Sequence, residues 1–86
     1  MIANKDLEAN FSTLLLSIAS SAAMNMGLAP NPVNGKNEKN LSLAKFNIEL
    51  IRILEQKTKG NLSKEEEDFI KQILSDLQIQ FINANK

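Results

Sequence analysis

Residues 11–26 read FSTLLLSIASSAAMNM and contain no charged side chain, whereas Lys, Glu and Asp recur through the rest of the chain. At 100° per residue, an apolar stripe runs along one side of this stretch, as in a helix that faces a core. The stripe consists of Leu7, Phe11, Leu14, Leu15, Ile18, Ala22 and Met26. We therefore predict a first helix over about residues 6–26, capped by Asp6 or Asn10 and ended at Gly27.

The opposite side of this helix is uncharged as well. Small residues recur at four-residue spacing, Ser17 with Ser21 and Ala19 with Ala23, which lets a second helix backbone approach closely. We predict that another chain covers part of this side, and burial by the chain's own helices is the alternative. The predicted interface, which adds two apolar residues near the C-terminus, comprises Leu16, Ser17, Ala19, Ser20, Ala23, Met24, Ile79 and Ile82.

The length and composition of the chain limit the classes of function. Eighty-six residues predict one domain, 1–86, near the lower size limit for a self-sufficient core. Ten basic and ten acidic residues cancel, so nucleic acid is not an expected partner. The chain has no His or Cys, which disfavours an activated nucleophile and a transition-metal site. We predict no enzyme activity and no catalytic, cofactor-binding or metal-binding residue.

A membrane-spanning segment is considered because the uncharged run continues to Gly35, which is long enough to cross a bilayer. Its serines and asparagines, together with Pro30 and Pro32, argue against a spanning helix. Asp6 and Glu8 stand where a signal peptide carries positive charge. We predict a cytoplasmic protein without stable membrane insertion.

Residues 28–40 predict a long connecting loop, and residues 1–5 a frayed start. Two prolines favour extended backbone, and Asn34-Gly35 predicts a tight turn. The run Asn34-Gly35-Lys36 is no phosphate-binding loop, because Pro30 replaces the first glycine that this motif needs and Asn37 replaces its Ser or Thr.

A second helix is predicted over about residues 41–59, capped by Asn40 and ended near Gly60. Its main apolar stripe is predicted as Leu43, Ala44, Leu50, Ile51 and Leu54, with Phe46 and Ile53 on one flank and Ile48 on the other. Asn47 falls within this arc and needs a hydrogen-bond partner if it is buried. We predict that it fixes the register between helices, and a ligand contact is the alternative.

A third helix is predicted over about residues 64–83, because Ser63 and Glu66 have the spacing of a capping box. Its apolar stripe consists of Phe69, Ile70, Ile73, Leu74, Leu77 and Phe81. The carboxylates of residues 65–68 diverge by 100° per residue, so they do not converge on one metal ion.

Taken together, the patterns predict an all-α protein in which the uncharged first helix and a loop precede a helical hairpin. We expect an intertwined or packed homodimer that acts as an interaction or oligomerisation module without catalysis. The alternative is a protein that binds an apolar ligand, a lipid or a membrane surface through its first helix.

Several segments resemble a bacterial family catalogued as domain of unknown function 1844. They include residues 11–13, 16–17 and 19–22, Gly27, Pro30, Pro32, residues 35–36, and the run Lys57-Thr58-Lys59-Gly60-Asn61-Leu62 with Asp76-Leu77 after it. The resemblance covers about residues 11–82 and implies a short, helical, cytoplasmic protein without an assigned activity. Gln78 and Gln80 stand where the resemblance leads us to expect basic residues, so no role of such residues is carried over.

Overall fold

Three helices, running up, down and up, make up the fold. The computed structural model describes residues 9–31 and 34–85, and its helices are α1 (Phe11–Asn25), α2 (Leu41–Lys57) and α3 (Lys64–Ala84). Each helix contacts the other two. Within the described ranges there is no β-strand, and the only β-type pairing is an isolated antiparallel bridge between Met26 and Lys39. The prediction of an all-α, three-helix chain is confirmed.

The first helix is shorter than predicted at its start. Asn10 is the N-cap, and its side-chain oxygen accepts a hydrogen bond from the Thr13 amide at 2.8 Å. Because Ala9 and Asn10 are not helical, the predicted start at residue 6 is wrong. The helix begins after Asn10 because its short polar side chain bonds the Thr13 amide, although Leu7 continues the apolar spacing toward the N-terminus. The predictions for Asp6 and for the frayed start at 1–5 lie outside the described residues.

The C-terminus of α1 confirms the predicted role of Gly27. This glycine has φ +79°, a conformation that side chains with a Cβ rarely adopt. Its amide donates to the carbonyl of Met24, and the Leu28 amide donates to the carbonyl of Ala23, both at 3.0 Å. This pair of hydrogen bonds is the Schellman arrangement, which satisfies carbonyls that the helix leaves unpaired.

The described residues of the predicted loop at 28–40 are not helical, and the two ends of the loop are held together. Met26 pairs with Lys39, and the Asn40 amide donates to the Asn25 carbonyl at 2.6 Å. The Lys39 ammonium donates to the carbonyl of Ala84 at 3.2 Å. The connector therefore links the end of α1 to the start of α2 and to the last turn of α3.

The second helix starts as predicted and ends early. Asn40 caps it by accepting from the Leu43 amide at 3.1 Å. The helix ends at Lys57 rather than at the predicted residue 59. Beyond it, the Lys59 amide donates to the Gln56 carbonyl, three rather than four residues back, at 3.4 Å. Gly60 then takes φ +86° and reverses the chain.

The capping box predicted for the third helix is confirmed. The Glu66 amide donates to Oγ of Ser63 at 3.1 Å, and the Ser63 amide donates to Oε1 of Glu66 at 2.9 Å. Two amides at the start of α3 are thereby satisfied by one pair of side chains.

Among the described residues, ten apolar side chains form the buried core. They are Leu15, Ala22, Met26, Ala44, Ile48, Ile51, Ile70, Ile73, Leu74 and Leu77. The predicted main stripe of α2 is wrong at Leu43, which is 47% exposed, and it omits Ile48, which was assigned to a flank but is buried. Along its shortest axis the Cα trace extends only 15 Å, so few side chains lie far from solvent.

Replacing the cap of α3 tests the local origin of this fold. We expect Ser63→Ala to lower the free energy of unfolding by about 1 kcal/mol, because the Glu66 amide loses its acceptor. In a chain of this size that corresponds to a fall in melting temperature of roughly 4–8 °C. The matched control is Ser75→Ala at an exposed position inside α3, which should leave the melting temperature unchanged or slightly higher. Equal melting temperatures for the two variants would contradict the role of the cap.

Candidate interaction surface

The side of α1 that faces away from the core carries no charge. We call this surface, made of Thr13, Leu16, Ser17, Ser20 and Met24, the uncharged side of α1. Leu16, Ser17 and Ser20 are exposed, and the Ser17 hydroxyl donates to the Thr13 carbonyl of its own helix at 3.0 Å. Helices at a protein surface ordinarily carry charged residues on their outer side, so this surface is unusual.

Three of the predicted interface residues line a groove within the chain. Ala19 packs against the core, and together with Ser20 and Ala23 it lines a shallow groove between α1 and α3. Ile73 and Leu77 supply the α3 side of the same groove. The small residues therefore allow α3 to approach α1, which is the alternative that the sequence left open for this side of the helix.

The remaining predicted interface residues lie on α3, away from α1. Ile82 is 61% exposed and lines a groove between α2 and α3 beside Lys45 and Arg52. Ile79 is also exposed and lies nine residues after the buried Ile70, half a turn away from the core side of α3. The eight predicted residues thus belong to several surfaces of one chain, and α1 contributes the group around Ser17 and Ser20.

A larger apolar surface, which the sequence analysis did not single out, lies on α2. Leu43, Phe46 and Ile53 are 47%, 56% and 49% exposed, and Leu50 between them is half-buried. These four residues, which we call the outer seam of α2, are spaced by three, four and three residues. The spacing places them along one line of the helix. Their direction differs from that of the buried Ala44, Ile48 and Ile51, so α2 has two apolar faces.

The outer seam of α2 and the α2-facing edge of α1 are exposed on the same side of the molecule. The link between the two helices is a hydrogen bond from the Asn25 side-chain amide to Oδ1 of Asn47 at 2.8 Å. From this contact the helices run antiparallel, and equal rise per residue brings Ser21 to the level of Ile51, one residue from Leu50 of the outer seam. Leu14, two turns further along α1, is exposed on this edge too.

Asn47 therefore has the interhelical role predicted for it. Both asparagines are partly buried, and their hydrogen bond crosses between helices at a fixed register. No buried side-chain nitrogen or oxygen in the described part of the chain is without a hydrogen-bond partner.

The acidic start of α3 is engaged in local contacts. Glu66 belongs to the capping box, Lys71 lies 3.9 Å from Glu67, and Lys64 donates to Asp68 at 3.2 Å. Over residues 9–31 and 34–85, no group of three His, Cys, Asp or Glu side chains is placed to hold a metal ion. The described helices include none that is both long and apolar enough to cross a bilayer.

Comparison with known sequences identifies the family. Residues 8–83 match the family described as a domain of unknown function (DUF1844). The chain belongs to this family. The match spans α1, the connector, α2 and nearly all of α3, so the three-helix unit is the family's domain. No curated protein shows significant similarity to this DUF1844 chain. No solved structure matches it either.

The Asn25–Asn47 hydrogen bond is testable by a double-mutant cycle. We expect Asn47→Ala and Asn25→Ala each to destabilise the chain, because each leaves a partly buried amide without its partner. Urea unfolding of the two single variants and of the double variant should give a coupling energy of about 0.5–1.5 kcal/mol. Additive effects of the two substitutions would show that the pair does not interact in solution.

Proposed function

We propose that this DUF1844 protein is a small association module that acts without catalysis and pairs with a second copy of itself through α1. The observation that carries the proposal is the exposed, uncharged side of α1, which adjoins the apolar outer seam of α2. Around Leu14, Ser17 and Phe46 the chain presents uncharged side chains, two of them large and apolar, and exposed apolar patches are often contact sites.

The size of the core supports this proposal. A chain of 86 residues buries only about 60–65% of the surface that it exposes when unfolded, so a single copy has a small stabilising core. Eight large apolar residues of the described chain are exposed, nearly as many as the ten that form the buried core. Association would cover part of this exposed surface and add to the stability of the fold.

The form of the surface favours a large partner over a small ligand. Among the described residues, the depression beside Leu14 and Ser17 is lined by α1 and the two residues before it, and no second helix lines it. Small-molecule sites are ordinarily enclosed clefts that bury most of the ligand. An open helical surface is better suited to contact another helix.

A charge introduced on α1 tests the proposal. We expect the wild-type chain to have about twice its 9.5 kDa mass by light scattering after size-exclusion chromatography at micromolar concentration. Ser17→Lys should give the single-chain mass, because the contact would bury an unpaired ammonium group. Circular dichroism should show that this variant stays helical, since Ser17 is exposed on the single chain.

The matched control is Ser75→Lys, which introduces the same change at an exposed position of α3. It should keep the wild-type mass. A wild-type chain that has the single-chain mass throughout the micromolar range would refute the proposal. Binding of the wild-type chain to phosphatidylcholine vesicles, together with a single-chain mass in their absence, would favour the lipid-binding alternative instead.

A further inference from the structure

We infer that the outer seam of α2 pairs antiparallel with the same seam of a second copy, which completes a four-helix contact of α1 and α2 from each chain. This inference rests on the proposed self-association and specifies the surface and the direction of the contact. The occupant of the seam is a second copy of this chain.

The spacing of the seam indicates that its occupant is a helix. Leu43, Phe46, Leu50 and Ile53 follow the alternation of three and four residues by which two helices interlock their side chains along a line. The next position in this spacing is Lys57, the last residue of α2, so the apolar line ends there. The seam therefore offers four layers of side chains.

The seam is complementary to itself when one copy is reversed. Its intervals of three, four and three residues read the same in both directions. In an antiparallel pair, Leu43 of one chain consequently meets Ile53 of the other, and Phe46 meets Leu50. Every layer then joins two large apolar side chains, and the net charge of zero does not oppose the approach of identical chains.

The position of α1 decides the direction of pairing. Asn47 lies on the edge of the seam that adjoins α1, as the Asn25–Asn47 hydrogen bond shows, and helical periodicity places Leu54 on the same edge. In an antiparallel pair these edges face each other, so each α1 lies next to the α1 of the second copy, in agreement with the proposed function. In a parallel pair, the α1 edge would instead face the edge that contains Glu49.

The available area is consistent with a dimer contact. Leu14 and the outer seam expose on the order of 400 Å² of apolar surface, within the range of roughly 300–600 Å² for the largest apolar patch on a single chain, which is often a functional surface. The adjoining uncharged side of α1, around Ser17, extends this surface toward the roughly 800 Å² that each partner contributes to a stable interface.

Disulfide cross-linking tests both the surface and the direction, because the natural chain has no cysteine. The variants are Leu43→Cys and Ile53→Cys, each made singly at an exposed position of the full chain. Mild oxidation of their equimolar mixture should yield a cross-linked dimer. Each variant alone should yield little, because equivalent residues of an antiparallel pair would lie about 15 Å apart along the axis, beyond the reach of a disulfide.

The outcomes separate this inference from the proposed function. Cross-linking of Leu43→Cys with itself would overturn the antiparallel direction. A third variant, Ile79→Cys, reports on the outer side of α3. If this variant forms a cross-linked dimer while positions 43 and 53 do not cross-link, the contact between the chains lies on α3. If the wild-type chain has the dimer mass but positions 43 and 53 do not cross-link, the seam is refuted while self-association stands. A single-chain mass for the wild type refutes both.

Discussion

The structure depends on one constraint: the chain buries one side of each helix and leaves the other side exposed, and each helix has apolar residues on both sides. With three helices in a layer 15 Å thick, only one side of each helix faces the other two. On α2, the buried side holds Ala44, Ile48 and Ile51, while Phe46 points away from it and remains more than half exposed. The same division on α1 leaves Leu14 and Leu16 exposed on either edge of the helix. The surplus of apolar surface follows from the size of the domain, because three short helices cannot enclose all of it.

The ends of the helices could be predicted from the sequence where one residue supplies the capping group or the backbone conformation that a helix end requires. Ser63 with Glu66, Asn40 and Gly27 were each identified because a capping oxygen or a left-handed backbone position is a property of a few neighbouring residues. For α1 the same local chemistry predicts two candidate caps, and Asn10 is the one that the structure confirms, although the helix begins at Phe11 rather than at the predicted residue 6. Asn10 and Asp6 are both competent caps, and local chemistry does not choose between them when the apolar spacing continues past the true start.

The inner side of α2 could not be predicted from the sequence, because its apolar arc is wide. Leu43 and Ile48 differ by 140° around the helix, and either can be the edge of a core stripe. Which one is buried depends on the direction from which α1 and α3 approach, and this is set by contacts between distant residues such as Asn25 and Asn47. The same limit applies to the candidate surface. Small residues on α1 predicted close helix packing, but periodicity alone does not tell whether the neighbouring helix at Ala19 and Ala23 is α3 or belongs to another chain.

Because the two ends of the connector are held together, the packing of the three helices does not depend on the residues at the connector's tip. The bridge between Met26 and Lys39 fixes where α1 ends and α2 begins, so the residues between them do not set the distance between the helices. At the tip, Gly35 has φ +69° and open space around it. Lengthening a loop that is already closed at its base costs only about 0.6 kcal/mol for each doubling of its length. A peptide epitope inserted beside Gly35 would therefore be accessible on the protein surface without disturbing the three helices. Such a tag would allow the protein to be detected or captured while α1 and the outer seam of α2 stay unchanged.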